Sequence, residues 1–519
     1  MADARKPGAL GVASSSTVND RQPREGEQPQ SAVQSSEQSD ATMVPGKSTK
    51  TQVTLVESVE GRVAAKGKSA RGNAHWAQDQ NGALTQLERI GQRAKERKGE
   101  RFNNLLSAIK APLLKEAYQR LRKDAASGVD EVRWHEYGEG LDARLLDLQD
   151  RVHRGSYHPQ PVRRVHIPKG NGQTRPLGIL ALEDKIVQQA ARMVLEPIYE
   201  REFLGFSYGF RPGRSQHRAL SAVAVAINGK TSWVLDADIR SYFDTVDHGW
   251  MQRFIEHRIG DRRMVRLLMK WLKAGVMEEG KLHEVEEGTP QGGVISPLLA
   301  NVYLHYVFDL WANQWRKRHA RGEVYIVRYA DDLLMCFQFE QDAQAMREAL
   351  ASRLSTHGLE LHPEKTRVIR FGRYARQDAA RDGRTRPETF DFLGFTHITS
   401  VSRDGRFQLK RRTSRKKRVA KLAKLQDEMR KRRHDPVRAQ RTWLASVLRG
   451  HYRYYGVPMN YRALQQFRER VRHAWHRQLQ LRSQRARWNN EQREKFDRHW
   501  PLPLPRIHHP WPSLTSAGP

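Results

Sequence analysis

Two apolar segments joined by a pair of adjacent acids constrain the fold of this chain more than any other feature. Val324–Tyr329 and Leu333–Phe337 flank Asp331 and Asp332. Short apolar segments around a polar turn predict a β-hairpin, here with both carboxylates at its tip. Acidic turns are common on protein surfaces, so the hairpin alone leaves a solvated turn and a functional site both open.

Two further acids lie inside another apolar segment. Trp233–Ile239 has the pattern of a short strand, yet it contains Asp236 and Asp238. Burying an unpaired carboxylate is costly or raises its pKa, and a bound metal ion resolves that conflict. Carboxylates from two neighbouring strands can hold a pair of Mg²⁺ ions, and such a pair supports phosphoryl transfer.

The pattern of the sequence between about residues 162 and 395 predicts an α+β domain. Val162–Ile167 has the pattern of a strand, whereas Leu182–Leu195 and Pro297–Trp315 have that of helices. Such a mixture predicts helices packed on an antiparallel sheet. From about Leu409 the chain becomes helical and strongly basic.

The two acidic segments resemble the metal-binding motifs of reverse transcriptases. Tyr329–Asp332 is similar to the signature hairpin of that family, and Asp238 with the residues after it is similar to the first metal-binding motif. The resemblance implies a right-hand polymerase, with fingers and palm followed by an α-helical thumb. It also implies that Asp238, Asp331 and Asp332 are catalytic and hold two Mg²⁺ ions, for which Mn²⁺ can substitute. The family motif does not assign Asp236 to the metals.

Further segments resemble motifs that handle the incoming nucleotide. Within them, the resemblance implies that Lys169 and Arg175 hold the triphosphate of a dNTP and that Gln291 faces the nucleotide or the template. Phe243 stands where the family has an aromatic gate against ribonucleotides, and its alternative is a core aromatic. Lys365 stands where the family has the lysine that protonates pyrophosphate.

Two segments resemble family motifs without a catalytic group. Gly205–Ser215 is similar to a motif of the intron-encoded branch, and its residue types indicate no chemical role. Phe392–Phe395 is similar to the turn that grips the primer.

The segment Trp443–Gly456 resembles the maturase region of bacterial group II intron proteins. Aromatic residues alternate there with Arg and His, which suits stacking on bases and binding of phosphates. The predicted RNA-binding residues are Arg449, Tyr452, Arg453 and Tyr454. The alternative is a helix that packs its aromatics in a core, and both hold if the helix has one packed face and one bound face.

The chain divides by composition into four predicted parts. Residues 1–75 are predicted to be disordered, 76–400 to form fingers and palm, 401–485 the helical thumb and maturase region, and 486–519 a basic, Pro-rich tail that is a candidate DNA-binding element. The net charge of +33 favours a polyanionic partner. Cys336 is the single cysteine, which excludes an internal disulfide and leaves no cysteine pairs of the kind found in the nuclease domain of many family members.

The resemblance implies an RNA-directed DNA polymerase of a group II intron that also helps its intron RNA to splice. The expected partners are intron RNA, an RNA template, a DNA target or primer, and dNTPs, with no membrane and an undetermined oligomeric state. A cytoplasmic location is expected. The alternatives are a splicing maturase with little polymerase activity and a reverse transcriptase domesticated for defence or diversification. A viral RNA polymerase is disfavoured because Phe243 should exclude ribonucleotides.

Overall fold

Helices and strands alternate along most of the chain. The computed structural model describes residues 72–168, 174–278, 281–283, 288, 292–483 and 488–510. The helices before the basic C-terminal region are α1 (Gly72–Glu96), α2 (Ala111–Arg120), α3 (Trp134–Tyr137), α4 (Leu141–Arg154), α5 (Leu182–Tyr199), α6 (Gln216–Asn228), α7 (His248–Arg258), α8 (Arg262–Leu272), α9 (Ser296–Leu304), α10 (Leu310–Arg318), α11 (Glu340–Ser355) and α12 (Ala375–Arg381). The strands are β1 (Val162–Pro168), β2 (Thr174–Ile179), β3 (Trp233–Asp238), β4 (Val276–Glu278), β5 (Lys281–His283), β6 (Val324–Tyr329), β7 (Asp332–Phe337), β8 (Arg367–Arg370), β9 (Thr389–Phe392), β10 (Phe395–Val401) and β11 (Phe407–Thr413). The C-terminal helices are α13 (Arg415–Lys431), α14 (Val437–Tyr455), α15 (Tyr461–Gln480) and α16 (Asn490–His499).

The central sheet carries the acids that the sequence singled out. Its strand order is β6-β7-β3-β8, and every neighbouring pair is antiparallel. β6 and β7 form the predicted hairpin, and Asp238 at the end of β3 lies opposite Asp332 at the start of β7. The register therefore brings both acidic segments to one end of the sheet.

Both faces of the central sheet are buried. Leu235 and Met335 belong to one apolar cluster, whereas Val234 and Cys336 belong to a second. Side chains alternate between the faces of a strand, so a strand covered on both sides is apolar at nearly every position. This explains why the segments around the acids have so few polar residues.

The described residues form two further sheets. The first has the order β2-β1-β4-β5, in which only the β1–β4 pair is parallel, and the second is the antiparallel sheet β11-β10-β9. This mixture of helices with mainly antiparallel sheets agrees with the predicted α+β class. The predicted division at residue 400 falls inside β10, and the basic helical region begins with α13.

The predicted helix Pro297–Trp315 is present but irregular. It consists of α9, a π-helical turn at His305–Asp309 and α10. A π-turn inserts one extra residue into the helix and is often found at functional sites. Asp309, at the end of this turn, is completely buried.

The described end of the chain packs on the C-terminal helices. Residues 500–510, here called the strap, follow α16, and Leu502 is buried in an apolar cluster with residues of α14 and α15. The backbone N–H groups of His508 and His509 donate to the carbonyl oxygen of Gly456 at 2.8 and 3.0 Å.

Two predictions about the ends of the chain fall partly outside the described residues. Positions 1–71 of the predicted disordered segment and positions 486, 487 and 511–519 of the predicted tail lie there, whereas residues 72–75 belong to α1. Within the described ranges, no helix is long and apolar enough to cross a membrane.

Candidate active site

The acidic end of the central sheet opens into a cavity of about 710 Å³. Segments distant in sequence form its wall, including β2, the turn after β3, the start of α9, the β6–β7 hairpin and the loop before β8. The lining residues are Pro176, Leu177, Phe210, Asp238, Ile239, Arg240, Ser241, Tyr242, Phe243, Asp244, Gly292, Gly293, Ser296, Pro297, Asp331, His362 and Lys365. The fold thus gathers four of the predicted site residues, Asp238, Asp331, Phe243 and Lys365, around one space.

The carboxylates of the site repel one another. Burial raises the pKa of Asp331, and the charge of Asp238 raises it further, while Lys365 and Arg328 oppose the shift. Desolvation and the charges of Asp331, Asp238 and Asp236 raise the pKa of Asp332 to about 7. Asp332 is itself exposed at the hairpin tip, where the neighbouring acids Asp331, Asp238 and Asp236 act on its charge. This excess of negative charge is an environment that a cation stabilises.

Lys365 supplies one such cation. Its Nζ lies 2.6 Å from Oδ2 of Asp238 and donates a hydrogen bond to it. The loop that carries the lysine is fixed by pairing with the end of β3, since the backbone N–H of His362 donates to the carbonyl oxygen of Asp238 at 2.7 Å. The ammonium group of Lys365 is therefore bound to the carboxylate of Asp238, which the family resemblance predicts to be a metal ligand.

The donor chemistry of the site suits hard divalent cations. Asp238 and Asp331 offer carboxylate oxygens to one cavity, and Asp332 lies in register opposite Asp238. Among the described residues, however, no three His, Cys, Asp or Glu side chains converge closely enough to form a ligand group as they stand. In the structure Lys365 is paired with Asp238, and Asp332 is exposed at the hairpin tip. A cation bound at Asp238 would compete with Lys365 for the same carboxylate.

Phe243 lies in the cavity, in a short helical turn that follows β3. Its ring contacts the ring of the buried Tyr242 edge-on at 5.3 Å, and it packs against the larger core. The two interpretations of this residue are therefore compatible, since it borders both the core and the cavity. Lys169 and Gln291 lie outside the described residues, and of Arg175 only the backbone, in β2, is described.

An arginine that we did not predict as a site residue lies beneath the acidic turn. Arg328 is completely buried and forms a two-pronged ion pair with Asp309, at 2.7 and 2.6 Å. Its Nη1 also donates to Oδ1 of Asn301 at 2.9 Å and to the carbonyl oxygen of Ala330 at 3.2 Å. The arginine therefore ties the turn that carries Asp331 to the core. An arginine in the middle of the apolar strand β6 was the signal, because a buried arginine requires a buried acid.

The segment Phe206–Gly209 pairs with β6, on the outer side of the same hairpin. The backbone N–H of Tyr208 donates to the carbonyl of Arg328 at 2.8 Å, and the N–H of Arg328 donates to the carbonyl of Phe206 at 2.9 Å. A Cβ at Gly209 would lie 2.3 Å from the backbone nitrogen of Ala330, so only glycine fits there. This gives the segment Gly205–Ser215 a structural role that its residue types did not indicate.

Phe210 is a second residue of the cavity that the sequence did not single out. Its φ is 58°, and 48% of its surface is exposed. An aromatic residue in left-handed backbone is strained, and strain of this kind is often found at functional sites. The ring lies 6.5 Å from that of Tyr329, on the wall that leads to the acids.

The predicted RNA-binding residues of α14 differ in their exposure. Arg449 and Arg453 are exposed, whereas Tyr454 is partly buried and donates its hydroxyl to the carbonyl of Leu393 at 3.0 Å. Tyr452 is only 2% exposed, lies in the apolar cluster with the strap, and donates to the carbonyl of Pro503. The prediction that Tyr452 contacts RNA is therefore corrected, because its ring has no face open to a base.

A family model and several known proteins are similar to the central part of the chain. A family model for "Reverse transcriptase (RNA-dependent DNA polymerase)" matches residues 167–397. Protein YkfC of Escherichia coli K12 is 37% identical over 315 residues, covering 54% of this chain and 78% of that protein. The group II intron-encoded protein LtrA of Lactococcus lactis is 38% identical over 221 residues, covering 42% of this chain and 37% of that protein. Nuclear intron maturase 2 of Arabidopsis thaliana is 30% identical over 159 residues, covering 31% of this chain and 20% of that protein.

Proposed function

The chain belongs to the group II intron reverse transcriptase and maturase family, and from this premise we propose that it copies RNA into DNA. The observation that carries the proposal is the single cavity shared by Asp238, Asp331, Phe243 and Lys365. In the terms of a right-hand polymerase, the central sheet is the palm, the sheet of β1 and β2 belongs to the fingers, and the helices from α13 form the thumb and maturase region.

The proposed reaction adds one deoxynucleotide to a primer. The 3′-hydroxyl of the primer loses its proton to solvent and its oxygen attacks the α-phosphate of a dNTP. A new P–O bond forms, and the bond to pyrophosphate breaks. Two Mg²⁺ ions, when bound, lower the pKa of the attacking hydroxyl and neutralise charge on the phosphates. Asp238 and Asp331 would hold these ions, with Asp332 as the third acid. Lys365 donates a proton to the leaving pyrophosphate once its ammonium group has left Asp238.

Aromatic residues set the shape of the nucleotide site. We propose that the ring of Phe243 occupies the space beneath the sugar and clashes with a 2′-hydroxyl. Phe210 presents an exposed ring on the same cavity, where it can stack on a base. Lys169, Arg175 and Gln291 remain the proposed contacts to the triphosphate and the template.

Primer extension with the purified chain tests the proposal. We expect a DNA primer annealed to an RNA template to be extended by dNTPs with Mg²⁺ or Mn²⁺, and extension to stop when EDTA is added. A folded protein that binds RNA but extends no primer would contradict the proposal and favour a splicing maturase with a silent palm.

A second proposed function, assistance to splicing, is favoured by the exposed basic face of the C-terminal helices. Arg449 and Arg453 are exposed, and α13 carries the cluster Arg415–Arg418. Splicing of the intron RNA at low Mg²⁺, with and without the protein, tests this function separately from synthesis. We expect splicing to become faster with the protein, and the same rate in both reactions would contradict it.

A further inference from the structure

A second groove lies away from the catalytic cavity. It has a volume of about 930 Å³ and is bordered by the end of α6, the start of α12 and the β10–β11 hairpin. We call it the hairpin groove, and its lining is Val225, Asn228, Arg373, Tyr374, Arg376, Gln377, Thr399, Ser400, Val401, Gly405, Arg406, Phe407, Gln408 and Leu409. It shares no lining residue with the catalytic cavity. The groove lies at the C-terminal end of β10, whereas the turn Leu393-Gly394 precedes its N-terminal end. The two ends of the strand are about 20 Å apart, at about 3.3 Å per residue.

All the charged side chains that line the hairpin groove are positive. Arg373, Arg376 and Arg406 are exposed in it, and its lining contains no acidic residue. None of the three forms an ion pair with a described residue, whereas nearby arginines are paired, as Arg370 is with Asp378. The Asp404 carboxylate is exposed at the hairpin tip and is not part of the lining. Three like charges around one groove repel each other and favour a polyanion as the occupant.

An aromatic ring stands among these charges. Tyr374 lies between Arg373 and the start of α12, and 54% of its surface is exposed. A large exposed ring flanked by arginines is the arrangement with which proteins stack unpaired bases and bind their phosphates. Asn228, Gln377 and Gln408 add amide groups that can donate to, and accept from, base edges and a 2′-hydroxyl.

We propose that the hairpin groove binds an unpaired segment of RNA, with a base stacked on Tyr374 and phosphates held by Arg373, Arg376 and Arg406. The inference rests on the proposed function in that RNA is the partner of this protein. A base must be free of a duplex to stack on a single ring, which favours a single strand over a helix. The groove would hold RNA by one segment while another is copied at the catalytic cavity.

Photocrosslinking to the full chain tests the groove without requiring synthesis. The probe is a single-stranded RNA of roughly 12 nucleotides with 5-iodouridine in place of uridine, a length within the usual site size of single-strand modules. Irradiation is expected to join the probe to Tyr374, as mapped by mass spectrometry. Unlabelled single-stranded RNA should compete at least roughly tenfold better than RNA duplex or single-stranded DNA of the same sequence.

Variants with a matched control make the test specific. The triple substitution Arg373→Ala, Arg376→Ala, Arg406→Ala should reduce the Tyr374 adduct and make the dependence of log affinity on log salt shallower by roughly 2, as expected for three phosphate contacts. Arg381→Ala, at the end of α12 and paired with Asp378, lies outside the groove lining and should leave both unchanged. All variants should still extend a primer on a short template, which separates failure of the groove from failure of the polymerase.

Three results would overturn the groove proposal. One is the absence of an adduct at Tyr374. Another is competition by single-stranded DNA or duplex RNA as strong as that by single-stranded RNA. The third is a triple variant that crosslinks like Arg381→Ala.

Discussion

At the scale of single residues, the site is a problem of charge balance. Asp238 and Asp331 share a cavity in which burial and the charge of Asp238 raise the pKa of Asp331, and Lys365 and Arg328 are the cations that oppose this shift. The acids and the lysine could be predicted because each interrupts an apolar pattern or lies in a family motif. The partner of Arg328 could not, since Asp309 is 19 residues away in the sequence and is brought inward by a π-helical turn.

Replacing Phe243 tests the gate. Phe243→Val should raise the use of ribonucleotides relative to deoxynucleotides by roughly tenfold or more, because removing the ring opens space for a 2′-hydroxyl. The measurement is kcat/KM for dCTP and CTP on one RNA template. Phe210→Val, on another wall of the cavity, is the control and should leave this ratio unchanged. An unchanged ratio in Phe243→Val would show that the residue serves the core alone.

The pair of Arg328 and Asp309 should position the acidic turn as well as stabilise the fold. Asp309→Leu should lower the free energy of unfolding by roughly 3–5 kcal/mol, because it leaves a buried arginine without its partner. The double variant Arg328→Met, Asp309→Leu should recover most of that loss, as seen by chemical denaturation. Its primer extension should remain low, since Ala330 has lost its donor. Full activity in a stable double variant would reduce the pair to a purely structural role.

At the scale of elements, the sequence predicts the strands and helices of the site better than the long-range contacts between them. The hairpin, the strand β3 and the helix α5 were predicted from apolar periodicity and are present. Three long-range contacts left no local pattern, namely the pairing of Phe206–Gly209 with β6, the β1–β4 pair and the packing of the strap. Each depends on residues that are distant in sequence, which composition and spacing do not encode.

The strap should be part of the stable core of the C-terminal helices. Leu502→Ala should lower the free energy of unfolding of this region by roughly 2–5 kcal/mol, because it empties a buried site. Leu504→Ala is the matched control, since 71% of Leu504 is exposed, and it should have almost no effect. Hydrogen exchange of the backbone amides in α14 and α15 measures the effect of both substitutions. Equal protection in the two variants would contradict the packing of the strap.

At the scale of the whole molecule, a chain with a net charge of +33 carries a cluster of acids at one end of its central sheet. The positive charge attracts nucleic acid without regard to sequence, and the acids are where chemistry is proposed to occur. Binding and synthesis should therefore be separable by substitution. Family membership and the general fold can be predicted from the sequence. Whether the chain synthesises DNA or only assists splicing depends on whether the acidic site is catalytically active.

Primer extension by Asp331→Asn beside the native chain tests the central claim most directly. The substitution removes a charge from the cavity and preserves size, and Asp150→Asn, on the exposed face of α4, is the matched control. The account predicts that Asp331→Asn loses DNA synthesis by at least roughly 100-fold, as for removal of a group that stabilises a transition state, while RNA affinity stays unchanged. Near-native synthesis by Asp331→Asn, with Asp150→Asn equally active, would contradict the assignment of the catalytic site.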